Sequence, residues 1–148
     1  MYKNILIATD GSELAAKGVT HGLQLAKALN AGVVFVTTTE IWPVLEMAAA
    51  AERGVPEPAE AFEAQAAKAA EEVLSQAEAS AKECGVPCET VHVRDQYPAE
   101  GIIDTANSKN CDLIVIASHG RRGIGRAILG SVANEVITHS EVPVVVVR

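Results

Sequence analysis

Short runs of aliphatic and β-branched residues alternate with longer stretches whose apolar positions recur at helical spacing, and this alternation constrains the fold most. The short runs cover residues 5–8, 33–37, 88–93, 113–117 and 143–147, and all but 88–93 are continuously or nearly continuously apolar. Strands of that kind are expected where helices cover both faces of a parallel sheet. Between them, Ser12 is a suitable N-cap for a helix reaching about Asn30, with Ala15, Val19, Leu23, Ala26 and Leu29 in one stripe. A long helix is expected over 59–83, its face marked by Phe62, Ala66, Ala69, Val73, Ala77 and Ala81, with Gly85 and Pro87 ending it. Shorter helices are expected over 99–107 and 130–138. The roughly twenty residues after the second strand, with Pro43, Pro56 and Pro58, read as a long connection.

Five parallel strands and four helices in 148 residues describe one three-layer α/β domain over 1–148. A core of this size needs no disulfide or metal staple. Cys84, Cys88 and Cys111 form no CxxC pair and are expected to be reduced; Cys84, Cys88 and His92 make a poor metal site. The N-terminus lacks the pattern of a signal peptide, and no apolar run is long enough to span a membrane, so a cytoplasmic location is expected.

Charge divides the chain. The formal charge is −7, and residues 40–83 account for all of it, with ten glutamates against Arg53, Lys68 and Lys82. The remainder is balanced. An acidic chain with 3% aromatic residues and no basic tail is a poor nucleic-acid binder. Yet residues 113–134 contain no acid and carry Arg121, Arg122 and Arg126. This glycine-rich, cationic stretch runs from a strand end into a helix start, where backbone N–H groups and the helix dipole favour an anion. Gly120, Gly130 and the hydroxyl of Ser131, expected to cap that helix, suit a phosphate; the alternative is an ordinary turn whose glycines serve its dihedral angles.

Asp10, just past the first strand, suits hydrogen bonds from ribose hydroxyls, and equally suits opening a turn or capping the helix after Ser12. His119 has the chemistry of a general base. With no partnered nucleophile or second carboxylate visible, packing in the loop or contacting phosphate is the preferred reading. A Walker-type loop, a serine-hydrolase elbow, a zinc-protease motif and a complete dinucleotide fingerprint are all absent.

The chain resembles the universal stress protein family over its whole length. Residues 5–12, Ile-Leu-Ile-Ala-Thr-Asp-Gly-Ser, resemble the family's first strand and the turn after it. The nucleotide motif Gly-x2-Gly-x9-Gly-Ser/Thr is matched at Gly120, Gly130 and Ser131, with Ala117 in place of the first glycine. The resemblance implies a five-stranded parallel sheet of order 3-2-1-4-5, a Rossmann-like fold, and a homodimer paired through the last strand, 143–147. It also implies a candidate nucleotide site comprising Ala8, Thr9, Asp10, Thr37, Ile116, Ala117, His119, Gly120, Arg121, Arg122, Gly130, Ser131 and Val132. Ala117 is expected to weaken or alter binding without abolishing it, since its methyl adds little bulk; an alanine would be strained there if the position required a positive φ.

The leading functional expectation is a cytoplasmic stress-response protein that binds ATP or AMP, with or without Mg²⁺, as a signal and not as a rapidly consumed substrate. The alternatives are a nucleotide-free interaction module of the same family and, behind it, a slow ATPase or adenylating enzyme.

Overall fold

The computed structural model describes residues 1–40, 44–120 and 128–148. The elements run β1 (Asn4–Ala8), α1 (Glu13–Leu29), β2 (Gly32–Thr38), α2 (Val44–Glu52), α3 (Pro58–Cys84), β3 (Cys88–Val93), α4 (Pro98–Ser108), β4 (Leu113–Ala117), α5 (Ser131–His139) and β5 (Val144–Val147). All neighbouring strands pair in parallel, in the order β3-β2-β1-β4-β5. The chain therefore winds outward through β2 and β3, then returns to the other side of β1.

Strand alternation sorts the core into two layers. Ile5, Ile7, Val33, Phe35, Leu113 and Val115 face α1 and α3, packing with Leu23, Leu74 and Ala77. Leu6, Val34, Val36, Ile114 and Ile116 face the opposite side, with Ile102 of α4 and Val136 of α5. Complete burial of each such aliphatic side chain contributes about 1.5–3 kcal/mol, so the two layers hold the sheet from both faces.

The helix ends follow their local chemistry. Ser12 Oγ accepts the Ala15 N–H at 3.2 Å, capping α1. Gly85 closes α3 at φ 71°, its N–H donating to the carbonyls of Ala81 and Lys82. Pro58 and Pro98 open α3 and α4, where a missing N–H costs nothing.

The structure corrects the expected connection after β2 and raises the helix count to five among the described residues. Residues Val44–Glu52 form α2, which buries none of its side chains; Val44 and Leu45 are exposed. Its sequence, Val-Leu-Glu-Met followed by four alanines and Glu, is rich in strong helix formers but has no apolar stripe. Propensity, not periodicity, carries the signal there.

Candidate functional site

Reversal of strand order between β1 and β4 opens a crevice at the carboxyl ends of these strands, the place where α/β sheets bind ligands. A cleft of about 720 Å³ lies there. Its floor is the ends of β1, β2 and β4. Ala8, Thr9, Asp10, Thr37, Ile116, Ala117, His119, Gly120, Gly130, Ser131 and Val132 all line it. Arg121 and Arg122, with Arg126, lie outside the described residues.

The turn after β1 is built by its own side chains. Thr9 N–H donates to the Val36 carbonyl at 2.9 Å, continuing the sheet, and Asp10 Oδ1 accepts the Ser12 N–H at 2.9 Å. Asp10 thus performs the turn-forming part of its two readings. Its other oxygen, Oδ2, comes so close to Gly120 that a Cβ there would lie 2.7 Å away. A strand-end carboxylate and the glycine of the β4 loop therefore meet across the crevice mouth.

The loop between β4 and α5 is closed by a hydrogen bond from Gly130 N–H to the Ser118 carbonyl, at 2.7 Å. A Cβ at Gly130 would stand 2.8 Å from that carbonyl oxygen and 3.3 Å from His119 Cα. Here glycine is required by close approach of backbone, and its φ of −61° is ordinary. Gly130, not Ser131, is the N-cap of α5; Ser131 is the first helical residue, and among the described residues no side chain caps this end. The cap expected at Ser131 is corrected by one position, because Gly130 takes the extended backbone that a cap needs. The start of α5, Ser131 and Val132, lines the cleft without a capping side chain among the described residues, an arrangement suited to an anion.

Ser118 is nearly fully buried, and its Oγ lies 3.1 Å from His119 Nδ1. The His119 ring edge passes over Gly130. These contacts give His119 a part in bracing the loop.

Ala117 does not carry the strain that a positive φ would impose. It is the last residue of β4, paired with Val147 and absent from the left-handed residues. The sequence also leaves out one wall. Ala66, Ala69, Ala70 and Val73 of α3 line the cleft opposite β1 and β2, and Pro98 and Ile102 of α4 close it from the other face. The glutamates of residues 40–83 are all exposed, so the long helix turns alanines to the cleft and carboxylates to water. Its alanine spacing was the available signal, and it is also what any core-facing helix shows.

Cys84, Cys88 and Cys111 are free. Among the described residues no group of three or more His, Cys, Asp or Glu is placed to hold a metal ion, and His92 is engaged by Thr39 and Arg94. No helix among the described residues is long and apolar enough to cross a membrane.

A doubly wound parallel sheet of order 3-2-1-4-5, with a cleft at its switch point bounded by a strand-end aspartate and a glycine loop, defines a Rossmann-like α/β protein. The chain belongs to the universal stress protein family, whose model matches residues 1–148. Universal stress protein MJ0531 of Methanocaldococcus jannaschii is 31% identical over 148 residues, covering 100% of this chain and 83% of that one. Among solved structures, protein MJ0577 of the same organism superposes with a TM-score of 0.78 at 26% identity, covering 99% and 96% of the two chains. The Archaeoglobus fulgidus universal stress protein solved in complex with dAMP shares the fold, with a TM-score of 0.68, 24% identity and coverage of 99% and 98%.

Proposed function

We propose that this protein binds an adenine nucleotide, ATP or AMP, across the carboxyl ends of β4, β1 and β2, and uses it as a regulatory ligand. The observation that carries the reading is the crevice mouth itself. Gly120 abuts Asp10, and the N-terminus of α5, with Gly130 as its N-cap, has no capping side chain among the described residues. Phosphates would lie against Gly120, Gly130 and Ser131, assisted by Arg121 and Arg122, and the ribose against Asp10. The base would sit beyond, at Thr37 and under the alanines of α3. The cleft volume lies within the usual 300–1,000 Å³ of small-ligand sites. That a protein of this fold was solved with dAMP supports the same ligand class at the level of the fold. Mg²⁺, in this reading, arrives on the phosphates.

Binding would act by population shift, favouring one arrangement of the segments around the cleft and so altering the surface offered to partners. The protein works as a cytoplasmic regulator and not as an enzyme, and its single domain spans 1–148. Calorimetric titration with ATP and AMP tests the proposal; the absence of saturable heat with either nucleotide would remove it. A slow ATPase would appear as phosphate release above background in the same samples.

Assembly through β5 belongs to this reading. Among the described residues β5 pairs only with β4, and its four valines are each half-buried, so an edge of backbone donors and acceptors stands beside partly covered apolar side chains. Pairing of residues 143–147 across a two-fold axis would complete both. Light scattering during gel filtration should give a dimer mass, and a monomer mass at tens of micromolar would remove it.

A further inference from the structure

The main cleft continues into a side recess of about 40 Å³ lined by Thr39, Glu40, Phe62, Glu63, Ala66, His92, Arg94 and Asp95, and Thr39 belongs to both. We propose that Thr39 is a hydrogen-bond donor selecting a ligand acceptor at the base end of the cleft, and that His92 is the positioning residue fixing the direction of its hydroxyl proton. This rests on the nucleotide reading of the cleft and deepens it.

The argument runs on proton polarity. A guanidinium has donors only, so Arg94 Nε, 3.3 Å from His92 Nδ1, must donate and Nδ1 must hold a lone pair. A neutral ring with a lone pair on Nδ1 carries its proton on Nε2. Nε2 lies 2.5 Å from Thr39 Oγ1 and therefore donates to it. With its oxygen accepting from His92, Thr39 turns its own proton elsewhere. One lone pair of the hydroxyl is taken by His92, and its single proton, directed away from the imidazole, can be donated to a ligand acceptor.

The fold places the chain of donors by period and register. Thr37 pairs with His92 across β2 and β3, and alternation puts Thr37, Thr39, His92 and Arg94 on the α3 side of the sheet. Thr39 N–H donates to the Val93 carbonyl at 2.9 Å, holding the residue in line beyond the end of β2. Burial, with the Arg94 charge beside it, also keeps the imidazole neutral. From β4 to β2 is two strand spacings, roughly 10 Å, so a ligand with phosphates at β4 and ribose at β1 brings its base to the end of β2. An aromatic base that offers a ring nitrogen to Thr39 satisfies the donor; an amino group at that point does not.

The test titrates wild-type protein, Thr39→Val, His92→Phe and His92→Gln with ATP and with analogues in which one ring nitrogen at a time is replaced by CH. Thr39→Val should weaken ATP binding about five- to tenfold, the size of one lost hydrogen bond. One analogue should bind wild type equally weakly and lose nothing further in Thr39→Val. His92→Phe should show a smaller loss than Thr39→Val, because the freed hydroxyl can still rotate to donate, and His92→Gln, which keeps a donor to the hydroxyl oxygen, should return affinity to within about twofold of wild type. Nitrogen NMR of the unliganded protein should show His92 protonated at Nε2. Equal ATP affinity in wild type and Thr39→Val, additive losses for all the analogues, or an Nδ1–H tautomer would overturn this inference alone. Failure of wild type to bind any nucleotide would remove the nucleotide reading as well.

Discussion

The methyl of Ala117 stands opposite Gly18: a Cβ built on Gly18 would lie 4.0 Å from the Ala117 Cβ and 3.7 Å from its nitrogen. The methyl that replaces the family's first motif glycine is thus directed at α1, where a residue without a side chain faces it. Ala117→Gly should therefore leave ATP affinity unchanged. It should cost about 0.5–1 kcal/mol of stability through the freedom it adds to the unfolded chain. Calorimetry and urea unfolding measure the two effects separately, and a gain in affinity would show that the methyl does obstruct the ligand.

Gly22 is a tighter contact on the same helix. A Cβ there would fall 2.5 Å from Ile7 Cδ1 and 2.9 Å from Ile7 Cγ1. Both residues are buried, so Gly22→Ala should destabilise by about 1–3 kcal/mol through overpacking. Ile7→Val, which removes Cδ1, should recover part of that loss in the double variant. Simple addition of the two single-variant losses in denaturant unfolding would contradict the contact.

The two motif glycines should respond differently to substitution. At Gly130 the added atom meets the Ser118 carbonyl, part of the backbone, so Gly130→Val should lose about 1–3 kcal/mol of stability along with binding. At exposed Gly120 the added atom meets, among the described residues, only the Asp10 carboxylate, so Gly120→Ala should keep stability within about 0.5 kcal/mol while weakening ATP binding. Equal melting temperatures for Gly130→Val and wild type would refute the first expectation.

Burial pushes the Cys111 thiol up to about 11 from 9.0, with Asp112 and Glu89 adding to the effect. The neutral thiol is thereby favoured in the fold. Its contribution is complete below pH 9.0 and is lost as pH rises through the folded value of about 11. Relative to Cys111→Ala, wild type should lose stability across that window, as measured by guanidinium unfolding. Alkylation at pH 8 should reach Cys111 last of the three cysteines.

His92 titrates at the other end of the scale. Burial first, and then the Arg94 charge, lower it from 6.5, and Glu40, Glu63 and Asp95 line the same recess. A depressed histidine contributes stability that is complete above pH 6.5 and is lost as pH falls through its lower folded value. The stability difference between wild type and His92→Gln should therefore shift against wild type on acidification below pH 6.5. A difference constant from pH 7.5 to 5 would contradict it.

Much of the site is visible along the chain because its parts are local. Asp10 follows a strand by two residues, and Gly120, Gly130 and Ser131 keep a fixed spacing; all of them line the cleft. The alanine face of α3 and the Thr39, His92 and Arg94 chain are not visible in this way. Ala66 to Val73 reads as core packing, and Thr39 looks like the start of a connection until its N–H is seen bonded to Val93.

Periodicity, capping residues and turn chemistry act over a few residues, and they determined the five strands, the four stripe-bearing helices and the loops that bear the glycines. Propensity determined α2. Tertiary structure alone decided that β4 returns beside β1, which brings Gly120 against Asp10 and opens the cleft. It alone directed the Ala117 methyl at Gly18 and aligned Arg94, His92 and Thr39 into a chain of fixed polarity. Such relationships depend on which surfaces pack together and in what register, and no short-range preference encodes them.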